Sequence, residues 1–111
     1  MNIGTAIKAI RKRLDITQFQ LADACDISQA TLSQIESGKK RPNQHTIKAI
    51  CTCLDIPEAI IYIIAMEEKD VPETKRGVYN LIYPSMMSLS LEMLNSQFSM
   101  PIKKNAVAEE V

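Results

Sequence analysis

The chain is poor in the residues from which reactive sites are assembled. Its 111 residues include one histidine and three glycines. No Ser-His-Asp arrangement, paired-carboxylate site or Gly-rich phosphate loop appears, so an enzyme is not expected. Cys25, Cys51 and Cys53 are an odd set without a Cys-x-x-Cys pair, and the lone His45 lies six residues before Cys51 in an expected loop. That spacing is unlike a zinc ligand set. No metal and no cofactor are therefore expected, and the thiols read as core residues, Cys25 from the second helix and Cys51 from the fourth.

Long apolar runs are missing too. The longest uninterrupted stretch, Ala59 to Met66, has eight residues, against the roughly 20 that span a bilayer, and reads as a buried helix rather than a membrane segment. Met1-Asn2-Ile3-Gly4 has neither the basic region nor the long apolar run of a secretory signal, so a cytoplasmic protein is expected. Net charge is also missing, with 13 basic and 13 acidic side chains, a balance that argues against a nucleic-acid partner at first sight. Its distribution argues the other way. Met1 to Leu54 carries eight Lys/Arg (Lys8, Arg11, Lys12, Arg13, Lys39, Lys40, Arg41, Lys48) against four acids, a surplus of four, and Asp55 to Val111 carries five against nine, a deficit of four. The first half is the basic half.

What is present is helical periodicity, with 46% apolar residues, enough for one small core. Ile3, Ile7, Ile10 and Leu14 form one stripe of a first helix over about Ile3 to Leu14. Thr17 followed by Gln20 is a capping box that opens a second helix, with Leu21, Ala22 and Cys25 on one face. Ser28 caps a third, which buries Leu32 and Ile35 and stops at Ser37-Gly38. Two short helices joined tightly in this way make a helix-turn-helix. The second presents Gln29, Ala30, Ser33 and Gln34 outward on one face. A Gln amide donates and accepts at once, which suits the N6/N7 edge of adenine, and Ala or Ser leaves room for a thymine methyl.

On these residues the segment resembles the DNA-binding domain of the lambda-repressor and Cro-like family, the Xre family of bacterial and phage regulators. The similarity covers about Ile3 to Met66. It rests on Thr17-Gln18, Leu21-Ala22, Ile27-Ser28, Leu32, Ile35-Glu36-Ser37-Gly38-Lys39, Arg41-Pro42 and Leu54-Asp55-Ile56. The resemblance implies that Gln18 contacts phosphate at a helix N-terminus, that Gln29, Ala30 and Gln34 face base edges, and that Lys39, Lys40 and Arg41 hold the DNA backbone. It also implies that Arg11 and Glu36 join the first helix to the recognition helix. Two positions depart from the family pattern. The turn residue that is usually Gly is Asp26, which visits the left-handed region less readily than Gly but more readily than most residues, and Phe19 stands at a site that is normally polar.

A fourth helix over Gln44 to Leu54 buries Ile47, Ile50 and Leu54. Asp55 and Glu58 make an Asp-x-x-Glu box expected to open a fifth, with Pro57 in its first turn, running to about Lys69. That helix is apolar nearly all round at Ile60, Ile61, Tyr62, Ile63 and Ile64, so it must be covered on more than one side. Asp70, Pro72 and Glu73 mark another start, Pro84 is expected to kink or restart the helix with Ser85 as a cap, and Asn95 to Val111 lacks periodicity and reads as mobile.

The resulting expectation is an all-α protein: a five-helix lambda-repressor-like DNA-binding domain over 1–69, a helical extension over 70–95 and a mobile tail over 96–111. Its expected function is sequence-specific transcriptional regulation as a homodimeric repressor on double-stranded DNA. Base contacts fall to Gln29, Ala30, Ser33 and Gln34, and backbone contacts to Thr17, Gln18, Ser28, Thr31, Ser37, Lys39, Lys40 and Arg41. The Lys39-Lys40-Arg41 run has a plainer alternative as a solvated loop. Ile60, Ile61, Ile64, Leu81, Ile82, Met86, Leu89 and Met93 form candidate dimer or extension-packing surfaces, with intramolecular packing, a subunit interface and a small-molecule pocket all open. Two other functions stay in view: an antitoxin binding DNA and a toxin protein through its C-terminal segment, and an interaction adaptor that kept the fold without binding DNA.

Overall fold

Each of the first four helices starts at a polar residue that accepts a backbone N–H of its own first turn. Asn2 accepts from Thr5 at 3.0 Å, Thr17 from Gln20 at 3.0 Å, Ser28 from Thr31 at 3.0 Å and Asn43 from Thr46 at 2.8 Å. Such caps contribute about 1 kcal/mol each. In the computed structural model, which describes residues 1–95, they open α1 (Ile3–Arg13), α2 (Gln18–Cys25), α3 (Gln29–Ser37) and α4 (Gln44–Leu54). Two more helices follow, α5 (Glu58–Ala65) and α6 (Arg76–Asn95), separated by single 3-10 turns at Glu68–Asp70 and Glu73–Lys75. Among the described residues there is no strand, and the fold is the expected all-helical one. The mobile tail expected over 96–111 lies outside the described residues.

Three of the helix ends are built alike. Asp15, Asp26 and Asp55 take left-handed conformations, with φ of 58°, 59° and 57°. In each case the next residue is isoleucine, whose N–H reaches back over the last turn: Ile16 to Arg11, Ile27 to Ala22 and Ile56 to Cys51, all at 3.0–3.1 Å. This is the Schellman pattern, with Asp accepting the strained position that Gly usually fills. The isoleucine then turns inward, so each helix stop is also a core anchor. Asp26 at the turn of the helix-turn-helix is thus accommodated rather than disruptive. The same pattern corrects the expected opening of α5, because Asp55 closes α4 and the residue before α5 is Pro57, without a side-chain cap.

Two further expectations are revised. α5 stops at Ala65 instead of near Lys69, because Met66 turns to an extended conformation and Glu67 and Asp70 cap the following turn reciprocally. Pro84 does not restart the last helix, and α6 runs through it unbroken. The carbonyl it leaves without a partner belongs to Asn80, an exposed residue, so water can take the place of the missing N–H.

The core is isoleucine-rich and continuous from α1 to α6. Ile7, Ile10, Leu21, Leu32, Ile35, Ile50 and Ile61 are essentially inaccessible, and Leu94 from α6 joins the same cluster. α5 lies against both α1 and α6. Its apolar circumference is covered in part within the chain, with Tyr62, Ile63 and Ile64 left half-buried. Ile60 and Ile61 are buried in this core and Ile64 packs against it, which removes the first two from the candidate subunit surface. The α6 candidates divide: Met86 is half-buried, whereas Leu81, Ile82, Leu89 and Met93 stand exposed, Leu81 at 80%.

Gly4 places the recognition helix. A Cβ built there would meet the carbonyl oxygen of Ile35 at 2.0 Å, so the first turn of α1 lies directly on the backbone of α3. Gly4→Ala should destabilise the domain by about 1–3 kcal/mol, as overpacking does. Gly77→Ala in α6, where an added Cβ meets nothing within 4 Å, should be neutral or stabilise by up to about 1 kcal/mol. Thermal unfolding of both variants checks the contrast, and equal effects would contradict the close approach.

Candidate nucleic-acid interface

α3 is only nine residues long and has to be held from behind while showing a polar face to solvent. Leu32 and Ile35 supply the apolar anchor. The rest of the hold is ionic. Arg11 of α1 donates from Nε to Glu36 Oε2 at 2.7 Å and from Nη2 to Oε1 at 2.9 Å, a two-pronged pair whose Glu36 side chain is 2% exposed. The remaining Arg11 prong, Nη1, donates to the Ile16 carbonyl at 2.8 Å. Gln18 Nε2 adds a bond to Glu36 Oε1 at 3.0 Å. The Arg11–Glu36 pair thus ties α1, the turn after it, the start of α2 and the end of α3 together.

The charges are stabilised by their partners. Burial alone would raise the Glu36 carboxyl, but hydrogen bonds from Arg11 and Gln18, with the charges of Arg11 and Lys8, outweigh it and hold the group below its ordinary value. Arg11 is pushed the other way, upward, chiefly by its bond to Glu36. Both shifts favour the ion pair.

With the pair behind it, α3 turns Gln29, Ala30, Ser33 and Gln34 to the outside, and all four are exposed. The flanking candidates differ in how free their side chains are. Thr17 is held in the capping box with Gln20, and Ser28 is engaged with Thr31, accepting from its backbone and donating to its hydroxyl at 2.8 Å. Ser37 Oγ donates to the Gln34 carbonyl at 3.1 Å. Gln18, expected to reach a phosphate, is half-buried and turned to Glu36, so its amide has one hydrogen engaged and one left to offer. Lys39, Lys40 and Arg41 are exposed just beyond the left-handed Gly38, with the Lys40 N–H bonded to the Gln34 carbonyl at 3.1 Å. The cations therefore follow α3 at its C-terminal end, and Lys8, Lys12 and Arg13 are exposed on α1. Phe19, the departure noted on α2, is 63% exposed. Sequence reasoning missed Asn2 and Gly4. The signal for Gly4 is a residue without a side chain, three positions before Ile7 on the apolar stripe of an otherwise well-formed helix.

No group of three or more metal-ligating side chains comes together among the described residues, and none of their helices is long and apolar enough to cross a membrane. Two helices joined by a tight turn, the second with its polar face free and cations at its end, define a helix-turn-helix DNA-binding domain. The chain belongs to the helix-turn-helix family of lambda-repressor type, whose helix-turn-helix profile matches residues 7–61. It is similar to an immunity repressor protein of Bacillus phage phi105, 38% identical over 80 residues that make up 72% of this chain and 53% of that protein. It is also similar to the transcriptional regulator ClgR of Mycobacterium tuberculosis, 32% identical over 65 residues, 59% of this chain and 58% of that protein. The chain thus spans little more than half the length of the curated relatives it matches. No solved structure matches it significantly.

Removing one member of a buried pair leaves the other charge uncompensated. Arg11→Ala should therefore cost about 3–5 kcal/mol. Because the Glu36 carboxyl is depressed in the folded state, the stability it contributes is complete above its ordinary value of 4.5 and is lost as pH falls through the lower folded value. Urea unfolding between pH 7 and pH 3 should show an acid loss that is smaller in Glu36→Gln, and equal acid sensitivity in the two proteins would contradict the assignment.

Proposed function

We propose that the chain is a sequence-specific DNA-binding transcriptional regulator that acts as a homodimeric repressor. The observation that carries this reading is the outward face of α3, where Gln29, Ala30, Ser33 and Gln34 stand free on a helix fixed from behind by a buried ion pair. A rigid helix in the major groove can offer the two Gln amides to base edges, with Ala30 and Ser33 leaving room for thymine methyls. Lys39, Lys40 and Arg41, with the second amide hydrogen of Gln18 and the hydroxyls of Thr17 and Thr31, supply the phosphate contacts that fix register, and Ser28 and Ser37 join them by exchanging their bonds to Thr31 and Gln34 for phosphate.

Residues 1–69 form the reading unit in this proposal and 70–95 the assembling one. One recognition helix reads only a few base pairs, and helix-turn-helix proteins gain selectivity by placing two copies about one DNA turn apart. The exposed face of α6, with Val78, Leu81, Ile82, Leu89 and Met93 at helical spacing, supports a two-fold contact between copies. Repression then follows by occupation of the site. The names of the two relatives support the regulatory role.

Selection of bound sequences from random duplex DNA tests the reading directly. It should enrich inverted half-sites about one helical turn apart, whereas no enrichment over input would overturn it. On the selected site, Gln34→Ala should weaken binding by about 1–3 kcal/mol and relax preference at one or two base pairs while sparing non-specific binding. Uniform weakening on all sequences would move Gln34 to the DNA backbone. Lys40→Ala and Arg41→Ala should weaken every duplex and lower the salt slope by about 0.9 for each phosphate that is no longer neutralised.

The paired substitution Leu81→Lys with Leu89→Lys should convert a dimer to a folded monomer, read by light scattering across concentration alongside circular dichroism. A wild-type protein monomeric at tens of micromolar would contradict the dimer.

A further inference from the structure

The cysteines take no part in DNA reading, and two of them meet where the helix-turn-helix packs on α4. Cys53 Sγ donates to the Ala24 carbonyl at 3.2 Å, the carbonyl of the peptide that leads into Cys25. Cys25, 7% exposed, ends α2 in the shared core, and Cys53 packs against that core from α4 while remaining partly open to solvent. Both are free thiols. The Cys53 side chain is also the chief influence on the Cys25 thiol, which it raises, while Cys53 itself is lowered below its ordinary value by Cys25. The more accessible sulfur is therefore the readier nucleophile, and its neighbour is the buried one. Cys51 is different: its burial pushes the thiol up to about 11 and leaves it inert.

We propose that Cys25 and Cys53 form an oxidation-sensitive dithiol whose closure to a disulfide reseats the recognition helix and weakens DNA binding. The oxidant is a peroxide. The Cys53 thiolate attacks the O–O bond, an S–O bond forms as O–O breaks, and the departing hydroxide takes a proton to leave as water. Cys25 sulfur then attacks the Cys53 sulfenic acid, S–S forms as S–O breaks, and a second water leaves with the Cys25 proton. Two thiols lose two electrons to one hydrogen peroxide.

The position of the pair gives the bond its consequence. The loop it closes contains all of α3 and the Lys39-Lys40-Arg41 run. A disulfide holds its sulfurs at about 2.05 Å, far nearer than two unbonded thiols can come, so closing it draws the last turn of α2 toward α4. That turn is followed immediately by Asp26, the left-handed residue that joins α2 to α3. A small movement there changes how α3 is presented. The DNA arm of the test rests on the function proposed above, whereas bond formation does not.

The experiment treats the full chain with hydrogen peroxide, maps the product by peptide mass spectrometry, and measures hydrogen exchange of the α3 amides and affinity for the selected duplex before and after. The expected product has lost two hydrogens and links Cys25 to Cys53. α3 exchange should change, and affinity should fall about tenfold or more, within the range of ordinary allosteric coupling, returning with dithiothreitol. Cys51→Ser should behave as the wild type, and Cys53→Ser, which keeps a donor for the Ala24 carbonyl, should resist, as should Cys25→Ala. Absence of the Cys25 to Cys53 link, or a link that leaves α3 exchange unchanged, overturns the proposal. Failure of the reduced protein to bind any DNA overturns the regulatory reading instead, and leaves the mapping and exchange data to decide the dithiol.

Discussion

The two-pronged contact between Arg11 and Glu36 is the constraint on which the arrangement of the first three helices depends. α3 must keep one face polar, so only Leu32 and Ile35 remain to bury, too little apolar surface to fix a nine-residue helix in direction as well as position. A planar guanidinium held by both carboxylate oxygens supplies the missing direction, because a fork-to-fork contact tolerates little rotation. Buried pairs contribute little net stability compared with apolar residues of similar shape, since desolvation offsets their attraction. The gain here is orientation. Gln18 extends the same control to the start of α2.

Around that pair the chain repeats one compact device. An aspartate in the left-handed region ends the helix, an isoleucine after it enters the core, and in two of the three cases a hydroxyl residue after that opens the next helix: Asp15-Ile16-Thr17 and Asp26-Ile27-Ser28. Turn, core anchor and cap occupy three residues. This brevity is why α2 and α3 can be joined so tightly, and tight joining presents α3 as a fixed reading surface. Gly4 contributes at the other end by letting α1 approach the Ile35 carbonyl. Charge follows the same division of labour, with the basic surplus in Met1 to Leu54 and the acidic one beyond.

Much of this was legible where a local rule has one outcome. Thr17 with Gln20, Ser28, and Gly38 marked their helix ends correctly because capping chemistry is set by neighbours within a turn. Asp55 misled because Asp-x-x-Glu is a start signal when read forward, whereas Asp-Ile is a stop signal when compared with Asp15 and Asp26. Pro84 misled because its cost depends on whether the orphaned carbonyl faces water, a tertiary fact. The uniform apolarity of α5 showed that it must be covered, but only the packing of α1 and α6 shows that Ile60 and Ile61 are buried inside the chain. The face of α3 was readable from periodicity. The inward turn of the Gln18 amide was not, since it depends on a carboxylate eighteen residues away.

The central claim is that α3, oriented by the Glu36 network, is the surface that meets DNA. Titrating the isotope-labelled protein with its selected duplex and following backbone amide resonances tests it most directly. The largest changes are expected over Thr17 to Gln20 and Ser28 to Arg41, with α6 away from its exposed stripe little affected. Changes concentrated on α6 or α5, with α3 silent, would contradict it.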